Sequence, residues 1–388
     1  MKQSKIHRRE FVQGCVATVC SLAAPSIIAA PIGTSLKAAV IGATGRGDYG
    51  HGLDGIFNGR KNIEVVAVAD PDAAGRRAAA EKIHAPRSYA SYREMLARET
   101  PNLVSVAMRQ ADQHREIITA CLRAGAHVYS EKPFVTAPDE ADEVLTLAQK
   151  GNLKVAVAHT MRMMPIVTRL KQGVKEGLIG DLVEMRAYGK QDSRAGGEDM
   201  MVLGSHLFDL MRLFAGDPVT CTARVMQKGR AITAQDRQTV KDNNGVLAGT
   251  EVFAQFSFLK SVSATFTSTE KLRETVGHWG IEFFGSKGVA RLNCDVAPNV
   301  FLRRTTGWSA KGKTDNWEPL DLKLIQTPPE HNLGPVGDWL EAIASNREPE
   351  CSGRNGAWAV EMVCGVYQAA LEEKEIRFPL KNRKHPLA

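Results

Sequence analysis

Residues 38–70 constrain this chain more than any other stretch. They read AAVIGATGRGDYGHGLDGIFNGRKNIEVVAVAD. A short apolar run, 38–41, is the right length for a buried parallel strand. A glycine-rich turn follows (Gly42, Gly45, Gly47, Gly50, Gly52), then a brief helical segment, then a second apolar run that ends at Asp70. Strand, glycine turn, helix, strand and acid is the layout of a dinucleotide-binding unit. Glycines let the backbone approach a pyrophosphate, and a helix N-terminus offers free N–H groups and a positive dipole end. A carboxylate at the end of the second strand can accept hydrogen bonds from ribose hydroxyls. The second glycine of G-x-G-x-x-G is Thr44 here, with Gly45, Arg46 and Gly47 close by. Asp70 either binds ribose or caps a helix whose first residue is Pro71. As a ribose ligand it repels a 2′-phosphate, so NAD is favoured over NADP.

The chain is long enough, at 388 residues, for two domains with sizeable cores. Its net charge of +7 is inflated by the leader, which carries Lys2, Lys5, Arg8 and Arg9 against Glu10. No basic run interleaved with aromatics occurs, which argues against nucleic acid as a partner. Cys121, Cys221, Cys294, Cys351 and Cys364 are scattered and never form C-x-x-C, so no metal site and no disulfide framework is expected.

Residues 1–34 read as a signal peptide. A basic start is followed by a mildly apolar, small-residue stretch, 11–30, that Gln13, Thr18, Ser21, Pro25 and Ser26 interrupt. That pattern suits a cleavable signal rather than a stable membrane span. HRREFV, residues 7–12, resembles the twin-arginine export motif, which a receptor reads. The expectation is an exported, periplasmic protein. The alternative is a cytoplasmic one with a disordered or amphipathic arm. Twin-arginine export carries folded proteins, so a cofactor acquired inside would travel along.

From residue 35 to 158, apolar strands alternate with helices, the grammar of an N-terminal Rossmann domain, a doubly wound parallel sheet. Helices are expected over 71–83, 91–98, 114–124 and 138–150, and strands over 103–108, 126–130 and 154–158. From 159 to 388 the order changes. Strand-like runs at 182–188, 219–225, 250–259, 262–269, 279–284, 288–292 and 300–303 are interrupted by one helix, 204–214. Two helices, 337–345 and 355–373, close the chain. This describes a C-terminal α+β domain with an open, largely antiparallel sheet, giving an α/β protein overall.

Four stretches make the chain recognisable. AGAHVYSEKPFV (124–135) resembles the A-G-K-H-V-x-x-E-K-P signature of the Gfo/Idh/MocA oxidoreductases. GLIGDLVEMRA (177–187), GSHLFDLMRLFAGDP (204–218) and the segment 346–380 resemble that family's second domain, active-site helix and C-terminal tail. The resemblance implies hydride transfer between NAD and a sugar, sugar derivative or cyclitol, in a cleft between two domains. It also implies a homo-oligomer, since the family's open sheet commonly pairs with another subunit. A redox-neutral variant, in which bound NAD oxidises a glycoside, elimination cleaves it and the hydride returns, is the first alternative. A non-catalytic sugar- or nucleotide-binding protein is the second.

By the same resemblance Lys132 and His206 are the catalytic pair. Glu131 and Lys132 belong to the cofactor-binding set with Gly42, Thr44, Gly45, Arg46, Gly47, Asp70 and Arg109. Substrate contacts are expected from Lys132, His159, Arg162, Glu198, Asp199 and His206. Pro133 is a candidate for a cis bond, and Asp209, one turn beyond His206, reads as structural. Two positions depart from the pattern. Where the family has Asp four residues before the histidine, this chain has Val202, and Glu198 or Asp199 either replaces that acid or is a solvated loop acid. Where the family tends to have Thr-Pro, this chain has Arg109-Gln110; the arginine contacts cofactor phosphates, meets an acidic substrate or lies in water. Lys190, Arg194 and His331 are further polar groups expected near the cleft.

Overall fold

The computed structural model of the protein describes residues 35–240, 244–272, 279–294, 298–304, 316–320 and 332–388. The leader and His331 lie outside the described residues. Strands β1 (Leu36–Ile41), β2 (Ile63–Ala69), β3 (Arg87–Tyr89), β4 (Leu103–Val106), β5 (His127–Ser130) and β6 (Val155–Val157) form a parallel sheet in the order β3-β2-β1-β4-β5-β6. Both faces are covered, so the strands are apolar along their length. Ala38, Ala39, Val40 and Leu103 are completely buried. The order reverses between β1 and β4, the switch point at which such sheets bind ligands beyond their carboxyl ends.

Helices start and stop where local chemistry dictates. Helix α1 (Ala73–Lys82) is capped by Asp72, whose carboxylate accepts from Gly75 N at 2.7 Å. That excludes Asp70 as the cap. Helix α2 (Tyr92–Glu99) is capped by Ser91, and α3 (His114–Arg123) runs into Gly125 at φ +83. Helix α4 (Pro138–Gly151) has proline in its first turn and stops at Asn152 in the left-handed conformation. The third strand, β3, which the sequence does not announce, lies at the edge of the sheet.

The expected helix after the glycine turn does not form. Residues 44–59 run as turns, with Gly45, Gly47, Gly50, Gly52 and Gly59 at positive φ together with Asp48. A chain that repeatedly takes left-handed backbone cannot propagate a right-handed helix.

Beyond β6 a 3-10 turn, Thr160–Met163, leads into α5 (Pro165–Lys175) and strand β7 (Leu182–Tyr188). A helical turn at Gly197–Asp199 and a π turn at Met200–Gly204 then feed α6 (Ser205–Ala215). The second sheet comprises β7, β8 (Pro218–Gln227), β9 (Glu251–Phe258), β10 (Ser263–Thr269), β11 (Gly280–Gly285), β12 (Val289–Asn293), β13 (Asn299–Arg303), β14 (Glu318–Pro319) and β15 (Ile376–Arg377), with a short strand, Arg230–Ala231, folded back onto β8. Their order is β14-β13-β12-β11-β7-β10-β9-β8-β15, and among the described residues only β7 and β10 pair in parallel. Its inner face packs on α6 and on α8 (Gly353–Glu372), with Phe208 edge-on to Phe256 and Phe266 at 5.3 and 5.1 Å.

The expected division at residue 158 is not a clean cut. Helix α7 (Leu333–Ser345) returns to the first domain. Its fully buried Trp339 packs on Tyr129 at 5.7 Å and Phe57 at 6.4 Å, and its indole donates to Lys154 O at 3.2 Å. Val157 N also donates to Cys351 O at 2.7 Å. The reason is apolar demand: the sheet face left bare by the missing helix must be covered. No helix among the described residues is long and apolar enough to cross a membrane.

Candidate active site

The glycine turn lies across the carboxyl ends of the first sheet. A Cβ on Gly47 would sit 2.6 Å from Arg109 N, and one on Gly50 would sit 2.5 Å from Ala107 O and 2.7 Å from the Glu131 side chain. Only glycine permits that approach, so the turn seats directly over β4 and β5. Gly45 and Gly52 have nothing within 4 Å where a Cβ would point, which leaves their backbone open to a ligand at the switch point. That cradle fits a dinucleotide.

Three cofactor expectations change on closer view. Asp70 is 1% exposed and braces the turn: its carboxylate accepts from Thr44 N, Thr44 Oγ1 at 2.7 Å and Asp72 N at 2.9 Å. With its lone pairs taken up internally, it holds the glycine turn against β2 instead of facing a ribose. Arg46 reaches across to Gln110 Oε1 at 2.9 Å and Asp112 Oδ2 at 2.7 Å, tying two loops together. Gly42 is packed under the ring of Tyr49, which a Cβ would meet at 2.2 Å. Arg109 is exposed beside the cavity described next.

That cavity holds about 320 Å³ and is walled by both domains. Lys132 enters from the end of β5, is 7% exposed, and follows the fully buried Glu131. Its Nζ donates to Val202 O at 3.1 Å. The main chain of the residue that replaces the family's acid therefore supplies an oxygen, without a negative charge. The Lys132–Pro133 bond is cis. His206 enters half-buried from the first turn of α6, next to the π turn, a local irregularity that often marks functional positions. Burial pushes its imidazole well below the ordinary range, and the Lys132 charge adds to this. It is thus a neutral base at neutral pH.

The residues expected to touch substrate divide. His159 does not line the cavity; it lies behind His206, edge-on with ring centroids 5.3 Å apart. Arg162 is turned away, its Nη1 donating to Asp209 Oδ1 at 2.8 Å in a pair whose side chains are 7% and 2% exposed. Asp199 is completely buried and accepts from Ser268 Oγ at 2.6 Å, Gln191 N at 2.9 Å and Lys190 N at 3.2 Å. Burial raises its carboxyl, opposed by those bonds. It clamps the loop after β7 and does not replace the missing acid. Glu198 is half-buried in the same turn and outside the cavity wall. Lys190 and Arg194 do line it, sharing Asp192 as counter-ion at 3.8 and 2.5 Å.

Among the wall residues that sequence reasoning missed are His51, Asn244, Trp279, Cys294 and Asn332. His51 is concealed inside a glycine turn. Trp279, 6.1 Å from the His206 ring, stands at the mouth of a strand that reads as core. Asn244 and Asn332 come from loops whose positions depend on the tertiary fold.

The buried imidazoles make the fold acid-sensitive. Burial pushes His159 down to about 3, and His127 and His385 to about 4. A histidine kept neutral in this way contributes its full stabilisation above the unfolded value near 6.5 and loses it as pH falls towards the folded value. At pH 5 each is expected to cost ~2 kcal/mol relative to pH 7.5. Calorimetric Tm should therefore drop steeply between pH 6.5 and 4; a Tm flat across that window contradicts the assignment.

A Rossmann sheet joined to an open mixed sheet, with a lysine and a histidine meeting between them, defines a two-domain nucleotide-dependent oxidoreductase. The chain belongs to the Gfo/Idh/MocA family: residues 36–159 match its NAD-binding Rossmann-fold model and residues 182–378 its C-terminal alpha/beta domain. It is accordingly an NAD-dependent oxidoreductase. It is 23% identical over 340 residues to D-apiose dehydrogenase of Paraburkholderia graminis, covering 83% of this chain and 85% of that protein. It is 24% identical over 327 residues to 1,5-anhydro-D-fructose reductase of Ensifer adhaerens, covering 79% and 89%. Among solved structures, levoglucosan dehydrogenase in complex with NADH and L-sorbose shares the fold, with a TM-score of 0.72 and 17% identity over 89% of this chain and 99% of that one.

Proposed function

We propose that the protein oxidises a hydroxyl-bearing carbon of a sugar, sugar derivative or cyclitol, with Lys132 and His206 handling the hydroxyl proton. The observation that carries this reading is the meeting of those two side chains, one from each domain, on one cavity at the carboxyl ends of the Rossmann strands. NAD, when bound, supplies the hydride acceptor. The open backbone of Gly45 and Gly52, with Arg109, would hold it at the switch point. His206, neutral through burial, takes the hydroxyl proton, and the Lys132 ammonium, fixed by Val202 O, steadies the charge growing on oxygen. A wall that mixes apolar side chains with both acceptors and cations suits a hydroxyl-rich substrate, and the sugar-named relatives support that class.

Residues 1–34 are proposed to direct export by the twin-arginine route, supported by HRREFV and the apolar run after it. Phe253, 43% exposed on the outer face of the second sheet, supports pairing with another copy.

One experiment tests the reading and the leader together. Full-length protein is recovered from the exported fraction of a bacterial host, its N-terminus is read by mass, and its nucleotide is quantified after denaturation. The expected result is a chain lacking the leader with near-stoichiometric NAD. Absence of nucleotide, together with no binding on titration of NAD or NADP, would overturn the oxidoreductase reading. An intact leader on protein retained in the cytoplasm would overturn export alone.

A further inference from the structure

We propose that His51, held by Glu131, is a second acid–base group of this site, and that the protein exchanges the proton on the carbon adjacent to a substrate carbonyl. The proposal rests on the oxidoreductase reading for the origin of that carbonyl. Oxidising a carbinol moves one hydride and one hydroxyl proton, for which Lys132 and His206 suffice. The same 320 Å³ cavity nevertheless carries another imidazole, delivered by the other domain.

Its placement is built. Glu131 is 0% exposed, and its two oxygens are divided: Oε2 accepts from Lys132 N at 2.5 Å and Oε1 meets His51 Nδ1. Burial would raise this carboxyl, but the hydrogen bond and charge of His51, and after them the Lys132 charge, outweigh it, and the group stays below its ordinary range. An ionised, acceptor-only Glu131 requires the proton on Nδ1. The main chain of His51 is fixed as well: Asn332 Nδ2 donates to His51 O at 3.3 Å, and Tyr129 Oη donates to Asn332 Oδ1 at 2.9 Å. The His51 side chain itself is 57% exposed and lines the cavity. With Nδ1 committed, Nε2 is the basic nitrogen left for substrate. A carboxylate that fixes the tautomer of an imidazole is the arrangement that makes histidine a directed base. The charged and titratable groups facing it are Glu131 and Lys132 from the end of β5, Arg109 from the end of β4, His206 from α6, and Lys190 and Arg194 from the loop after β7.

The chemistry closes without an added reactant. Nε2 removes the proton from the carbon next to the carbonyl, and the C–H electron pair moves into an enolate. The enolate oxygen meets the Lys132 ammonium. Return of a proton from His51 to the same carbon restores the ketone. In deuterated water, a deuteron returns.

The test uses the NAD-loaded protein in deuterated water with 1,5-anhydro-D-fructose, a ketone that needs no prior oxidation, and deuterium uptake is followed by NMR. Wild type should exceed the enzyme-free rate, and His51→Gln should lose ~100-fold of that excess. In parallel, nitrogen-15 histidine spectra of the same holoprotein should show His51 protonated at Nδ1, and Glu131→Gln should abolish that preference. Exchange no faster than without enzyme, exchange undiminished in His51→Gln, or a His51 tautomer indifferent to Glu131→Gln would each overturn the proposal. NADH formation from D-apiose and levoglucosan is read separately. NADH without exchange leaves the oxidoreductase reading standing and removes this one; exchange without NADH formation or NAD binding does the reverse.

Discussion

Lys132→Met is expected to lower kcat by ~10³-fold while NAD still binds. The methionine keeps an apolar stem of similar length and removes only the ammonium. Two contributions disappear together: proton transfer or its facilitation, typically worth 10²–10⁴-fold, and a fixed cation beside the oxygen where charge develops. The structural penalty is smaller. Lys132 Nζ donates to Val202 O at 3.1 Å, so the variant leaves that carbonyl without this donor, at ~1–3 kcal/mol. Stability and chemistry are therefore separable: Tm should fall by a few degrees, NAD titration should change little, and the single-turnover rate should collapse. A rate within tenfold of wild type would remove Lys132 from the reaction. Lys132→Arg is not expected to rescue it, because a planar fork cannot occupy the site of a compact ammonium.

Asp209→Ala should be among the most destabilising single substitutions in the chain, at ~3–5 kcal/mol. Asp209 is the buried counter-ion of Arg162, and Arg162 Nε has no hydrogen-bond partner among the described residues. Removing the carboxylate strands a guanidinium whose side chain is 7% exposed. Burial already pushes the Asp209 carboxyl up to about 6 against the pull of Arg162 and Arg212, which shows how dry the pair is. Asp209 lies one turn after His206 on α6, so unseating it also shifts the base and lowers activity beyond the loss of folded protein. The double variant Arg162→Met with Asp209→Leu should recover most of the stability, because a buried pair replaced by apolar groups is often neutral or better. Urea unfolding of the three proteins decides the matter. A single variant within 1 kcal/mol of wild type would show that the pair does not anchor the helix.

What could be read from the sequence was whatever short-range pattern dictates. The parallel strands announce themselves as apolar runs because both faces are buried, and Ser91 and Pro138 mark helix starts through local hydrogen bonding and fixed φ. The E-K-P block and the S-H-x-x-D helix single out Lys132 and His206, and the structure brings both side chains to one cavity, since each sits at the end of an element whose direction the fold class dictates.

Side-chain partners were a different matter. The dinucleotide layout points Asp70 to a ribose, and the family resemblance points Arg162 and Asp199 towards substrate. Their nearest partners are Thr44, Asp209 and Ser268, which lie 26, 47 and 69 residues away in the chain. No local pattern encodes such a meeting. His51 shows the converse: a histidine among glycines carries no periodic signal, and only the packing of the turn on β4 and β5 brings it to Glu131. Element type follows from neighbours a few residues apart, whereas the state of a polar group depends on who else is buried with it. The sequence by itself determined most strands and helices, and the succession of a parallel sheet followed by a largely antiparallel one. Only the tertiary structure decided which acids and cations are spent holding the protein together and which remain to face a substrate, because burial makes an unpaired charge too costly to leave alone.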